Sequence, residues 1–185
     1  MRKPVVRKGG LQEHHRAEIR ERRCVVALPL SWFFTLHTSV PELPEEDLPE
    51  FLQIEAERGF PSSPEALVIA NSVATLGTEK FVTQMAVPRE HVAKLETVLR
   101  AAKLTPVSFS LGLAAFPSAS ESRVALAVGA QSVGLLVQAG GGVLALRALN
   151  DAVEAEGVTR KLRPDTIARA LRITWAVVDP RISSR

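Results

Sequence analysis

The chain has 185 residues, 46% of them hydrophobic, which is enough for one ordinary domain or two small ones and too apolar for intrinsic disorder. A single cysteine, Cys24, excludes a disulfide framework within the chain and a cysteine-rich zinc site. The net charge of +3 is unevenly spread: residues 1–23 carry eight Lys/Arg and three acids, residues 158–185 seven and two, and the 134 residues between them eight and fifteen.

Residues 1–23 read as a basic, polar N-terminal segment with a break at Gly9-Gly10. CVVAL, Cys24 to Leu28, is a short buried-strand pattern stopped by Pro29. Trp32 to Ser39 alternates with period two, placing Trp32, Phe34, Leu36 and Thr38 on one face. An acidic helix follows in PEEDLPEFLQIEAER, with Leu48, Phe51, Leu52 and Ile54 as its apolar face and Gly59 as its end. Pro44 suits its first turn, with Glu45, Glu46 and Asp47 at the positive end of the helix dipole, and Pro49 conflicts with a straight helix unless it sits near the start. Ala66 to Val73 and Lys80 to Val87 form a hairpin around ATLGTE, and Pro88 opens a helix to Lys103 with Val92, Leu95, Leu99 and Ala102 on one face. Pro106 and Val107 begin another extended piece. From Trp32 to Phe109 the order is strand, helix, strand, strand, helix, strand, the split βαβ order of ferredoxin-like modules.

The last third changes character. Arg123 to Val128, Val133 to Gln138 and Val143 to Ala148 read as a meander around the turns GAQS and AGGG. Arg163 to Val178 then forms a helix opened by Pro164 and Asp165, with Ile167, Leu171, Trp175 and Val178 on one side. The longest apolar stretch, Val124 to Val137, is broken by Gln131 and Ser132 and is too short to span a bilayer. The N-terminus runs into HHRAEIRERR instead of an apolar signal core. The expected setting is cytoplasmic, without direct membrane insertion.

Few residues invite chemistry. His14 and His15 are adjacent and therefore point to different faces of a helix, poor geometry for two ligands on one metal, so no metal site is expected. His37 and His91 stand alone. Cys24 lies in an apolar strand, where a thiol is normally inert. No serine sits in G-x-S-x-G, and the acids from Glu42 to Glu57 read as a solvated helix face, so no catalytic residue is expected. The turn Gly129-Ala130-Gln131-Ser132 is the exception, because a glycine turn between strands can aim backbone N–H groups at a phosphate. Phe33, Phe34 and Phe60, large apolar side chains near element ends, are the candidates for partner contact, with core packing as the alternative for each.

The succession CVVALP, IEAERGFP, the hairpin, VPREHVAKLETVLRAAKLTPVSF and LAVGAQSVGLLVQAGGGVLALRAL resembles the actin-like PilM family of type IV pilus assembly. It is also similar to the cytoplasmic part of the type II secretion protein GspL. The resemblance implies an α/β (α+β) chain: an incomplete actin-like, ribonuclease H-like fold carrying a ferredoxin-like βαββαβ insertion, followed by a β-meander and a helix. Residues 24–31 would end the first lobe, 32–110 form the insertion, 111–122 connect, and 123–185 begin the second lobe. Relatives that bind ATP read Asp-Ile-Gly, a small residue and Ser/Thr-Thr at the phosphate loop. Here Ala127 stands at the Asp position and Val133 at a Thr position, although Gly129 and Ser132 remain. The resemblance therefore implies no cofactor for this chain alone, ATP with magnesium only in a longer one, and no ATP hydrolysis. Roughly half of such a fold is expected, as a fragment or as a reduced descendant whose open core a homodimer could close. The implied function is a non-catalytic scaffold peripheral to the inner membrane, held there by protein partners and binding the cytoplasmic tail of a bitopic, PilN-like protein. The alternatives are a degenerate ATP-binding protein and a module whose basic ends touch nucleic acid or lipid. An acidic body with basic ends argues against nucleic acid across the whole surface.

Overall fold

The computed structural model describes residues 21–112, 122–129, 131–156 and 159–182. The expected basic segment 1–23 thus lies mostly outside the described residues, as do His14, His15, Ala130 and most of the connector 111–122.

β1 (Arg23–Leu28) ends at Pro29, and a single turn over Leu30–Trp32 leads into β2 (Phe34–Val40). Glu45–Asp47 form one tight turn before α1 (Leu48–Gly59), so Pro49 sits in the first helical turn, where its missing N–H has no partner to lose. β3 (Leu67–Leu76) and β4 (Glu79–Pro88) form the expected hairpin, and α2 (Arg89–Ala101) follows Pro88 directly. β5 (Thr105–Leu111) completes the order that the sequence implies.

The pairing of that order departs from a ferredoxin-like module. The sheet has three strands in the order β2-β4-β3, and β5 pairs in parallel with β1, from Arg23 opposite Thr105 to Leu28 opposite Leu111. The burial of β4 departs as well: seven consecutive residues, Phe81 to Val87, are buried. A two-layer module leaves one sheet face wet, and its strands alternate in burial. β4 is instead the middle of three layers. On one face Ala86 packs with Ala56 and Phe60 of the α1 region, and Gln84 Nε2 donates to the Leu52 carbonyl at 3.1 Å. On the other face Met85 packs with Leu136, Val143 and Leu146.

Those last residues belong to the meander of β6 (Arg123–Val128), β7 (Val133–Ala139) and β8 (Gly142–Leu149). Its order is β6-β7-β8, antiparallel throughout, as the sequence implies. β7 is covered on both faces, by Val133, Leu135 and Val137 in one core and Leu136 in another. The hairpin of β9 (Val153–Glu156) and β10 (Thr159–Leu162) is not foreseen, because its charged residues carry no apolar alternation; its register sets Glu154 opposite Lys161. α3 (Pro164–Ile182) closes the described chain.

Two helix faces need correction. Ile54 is 40% exposed and Ala56 is buried in its stead; Trp175 is 48% exposed, while Ala170, Thr174 and Val178 face the core with Ile167 and Leu171 partly buried beside them. Eight positions from Ile167, Trp175 has rotated about 80° off the buried stripe at 100° per residue.

The module and the meander meet at the turn between β7 and β8. Gly140 and Gly141 have φ of +60° and +80°, which L side chains adopt at a cost. A Cβ on Gly140 would collide with the Thr75 backbone, and one on Gly142 with the Val73 carbonyl. Thr75 N–H donates to the Gly140 carbonyl at 2.9 Å. The Thr83 hydroxyl donates to the Val143 carbonyl at 2.6 Å, and Val143 N–H donates to Ser72 Oγ at 2.9 Å. Around this seam Ala74, Leu76 and Phe81 share one core with β7, β8 and α3. Gly142→Ala is expected to cost about 3 kcal/mol, and Thr83→Val about 1–2 kcal/mol by leaving the Val143 carbonyl buried without its donor. Urea denaturation measures both; a change below about 0.5 kcal/mol for Gly142→Ala contradicts the close approach.

Candidate functional site

The turn after β6 is closed by Gly129 N–H donating to the Ser132 carbonyl at 2.9 Å. It forms one wall of a cavity of about 420 Å3, in which Gly129, Gln131 and Ser132 face the end of β1 and the turn after it, Leu28 to Ser31. The structure therefore brings three of the four turn residues to one cavity, and Ala130 lies outside the described residues. The opposite wall is missed by sequence reasoning; Pro29, which stops the strand, is the only local signal that a turn approaches there.

The lining does not suit a magnesium–triphosphate. Ala127, Val128, Leu28, Pro29 and Leu30 are apolar, and among the described residues no lining residue is charged. Magnesium held by phosphates normally keeps one or two carboxylates, and none lines the cavity among the described residues. The Gly129 N–H that could face a phosphate is already spent inside the turn.

A second cavity, of about 250 Å3, lies where the β1–β5 pair meets the three-stranded sheet. Phe33, Met85, Phe109 and Leu111 line it with Val68 and Val87, and Val92 from α2 closes one side. α2 buries none of its residues completely, so its apolar face remains partly open beside this groove. Of the three phenylalanines expected as contacts, Phe33 lines the groove while packing partly on the core beneath. Phe34 is 37% exposed on β2 and lines neither cavity. Phe60 is 8% exposed, packed against Ala56, Leu67 and Ala86; it is a core residue, which removes it from the contact set.

The remaining polar candidates serve the fold. His37 Nδ1 lies 2.9 Å from Thr83 Oγ1, extending the seam network. The His91 ring stacks at a tilt on Trp32, centroids 5.2 Å apart. The acids of α1 and the turn before it are exposed apart from a partly covered Glu55, and Glu45 pairs with Lys80 at 3.1 Å. Glu65 is held below the ordinary carboxylate range, first by its own backbone N–H and then by the Ser63 hydroxyl, and it lines neither cavity. Among the described residues no cluster of His, Cys, Asp or Glu could hold a metal, and no helix is long and apolar enough to cross a membrane.

No family model matches the chain, and no curated protein matches it. Among solved structures it is similar to a PilM–PilN type IV pilus biogenesis complex, at 23% identity and a TM-score of 0.57, covering 89% of this chain and 55% of that one. It is also similar to the cytoplasmic domain of EpsL, an inner-membrane component of the type II secretion system of Vibrio cholerae. There the identity is 17% and the TM-score 0.56, covering 71% of this chain and 52% of the other. The likeness is one of fold, and it is the fold likeness that the sequence resemblance implies. The chain spans about half the length of either structure.

Calorimetric titration of the folded chain with Mg-ATP is expected to give no saturable heat up to about 1 mM. A micromolar Kd would contradict the reading of the cavity lining.

Proposed function

We propose that this chain is a non-catalytic scaffold of an inner-membrane assembly platform, of the type IV pilus or type II secretion class. In this reading it docks the cytoplasmic tail of a bitopic, PilN-like partner in the groove between the β1–β5 pair and the three-stranded sheet. The observation that carries the reading is the groove itself, apolar on both walls and open beside a half-covered α2. Its volume of about 250 Å3 suits one or two anchoring side chains and falls below the roughly 300–1,000 Å3 usual for a cofactor. The similarity to the PilM–PilN complex supports a partner of this kind. The apolar, uncharged lining of the other cavity among the described residues supports a role without nucleotide turnover.

Apolar anchoring has a distinct signature. Binding through the groove changes little between low and high salt, whereas contact through the basic ends collapses as counterions compete. Peripheral attachment to the membrane then follows from the partner's own transmembrane segment.

The test is a titration with a synthetic peptide of the partner's cytoplasmic tail, from the same organism. Val68, 37% exposed, and Val92, half-buried, can each take a charge with little loss of core packing. Val68→Glu and Val92→Glu are expected to weaken binding at least about tenfold with Tm within about 3 °C of the parent. Phe34→Ser, outside the groove, leaves affinity unchanged. Parent-like binding by both valine variants contradicts the groove as the docking site.

A further inference from the structure

A cation interrupts the apolar pattern of β8 beside α3, at a position that is itself exposed. On β8, Ala145 and Leu149 are buried in the core that α3 covers, and Arg147 stands between them on the same face, opposite Leu135. An alanine or leucine would continue the pattern. Arg147 instead sends Nη1 to the hydroxyl of Thr174, which is 5% exposed, at 3.3 Å. Thr174 is its one hydrogen-bond partner among the described residues, and no carboxylate there lies within ion-pair distance. A guanidinium carries five donors, and because Arg147 is exposed most of this fork is turned to solvent.

Arg147 is also part of a cavity of about 250 Å3 between β2, β8 and α3. Thr35 and His37 form the wall on the module side; Ile173, Val178 and Leu144 supply the apolar part. No acid lines it. Ile173 is 49% exposed at the mouth, while Leu144 and Val178 are buried behind it. The pocket is thus half cationic fork, half aliphatic slot, and it is smaller than the roughly 300–1,000 Å3 usual for a nucleotide-sized ligand.

We infer that this pocket binds an extended peptide through an acidic residue followed by an aliphatic one. The carboxylate takes the open edge of the Arg147 guanidinium, and the aliphatic side chain lies on Ile173 toward Val178. Charge complementarity selects the acid, since the described part of the lining offers a guanidinium without a competing carboxylate. The aliphatic slot selects a peptide over a bare anion, because a phosphate or free carboxylate would leave Ile173 and Val178 uncovered. The site is separate from the groove at Val92, and it does not depend on the scaffold reading.

The probe is N-acetyl-Gly-Glu-Leu-Gly-amide, titrated into the isotope-labelled full chain and read by NMR at the Ile173 methyl and the Thr174 amide. The expected result is saturable shifts at both, about tenfold weaker for the peptide with Gln in place of Glu. Arg147→Gln is expected to lose the same tenfold for the acidic peptide and nothing further for the Gln peptide, the non-additivity of a direct pair. Ile173→Ser, at an exposed position that folding tolerates, weakens both peptides alike and tests the apolar half if Arg147→Gln does not fold. Unmoved signals up to about 5 mM peptide, or equal shifts from the Gln peptide, overturn the proposal. So do equal shifts from inorganic phosphate, which would make the site one for simple anions.

Discussion

The turn Gly140–Gly142 can lie against β3 only because it has no Cβ atoms where the Thr75 and Val73 backbones pass. Everything else that the two halves share depends on that approach. It brings the Thr75 amide to the Gly140 carbonyl and lets Ser72 and Thr83 take both backbone groups of Val143, so that polar atoms at the seam are paired and not stranded. With those groups satisfied, Phe81 and Met85 of β4 can be buried against the meander, one in each of two cores. A side chain at either glycine would hold the strands apart and open both cores at once, which is why the constraint is steric before it is energetic.

The same seam places the surfaces proposed for binding. The groove at Val92 needs Met85 and Phe33 held from below by Leu136 and Leu146. The Arg147 pocket needs β2 set close to β8, so that Thr35 and His37 stand across from Ile173. Neither surface belongs to one segment of the chain. The β2–β5 segment and the meander fold on common cores.

Local features were legible in the sequence where one residue type has one physical use. Pro88 marks a helix start, the glycines mark the two meander turns, and the apolar runs of β7 and β8 mark strands; Pro44 points to a start that α1 reaches only at Leu48. What period and propensity do not encode is the partner of each face. The pairing of β5 with β1 and the double burial of β4 are both choices of partner, visible only when the other elements are in place. Ile54 and Trp175 read as core because apolar character alone does not fix a helix's rotation; Ala56 and Thr174, poorer signals, hold the buried positions. The glycine turn at residue 129 was visible, but the apolar wall from Leu28 to Leu30 that decides its chemistry lies about a hundred positions away in sequence. Arg147 was passed over because a single charge inside a strand looks like an outward-facing position, which it is; its contact with Thr174 becomes visible only when α3 lies beside it.

Native-state hydrogen exchange tests the central claim most directly, because the seam has its own reporters. The Thr75 amide donates to Gly140, and the Val143 amide to Ser72. If the two halves are one cooperative unit, both amides open only with global unfolding, within about 1 kcal/mol of Val82 in β4 and Leu135 in β7. Exchange of Thr75 and Val143 at clearly lower free energy, with β2–β4–β3 opening separately from β6–β8, would contradict it.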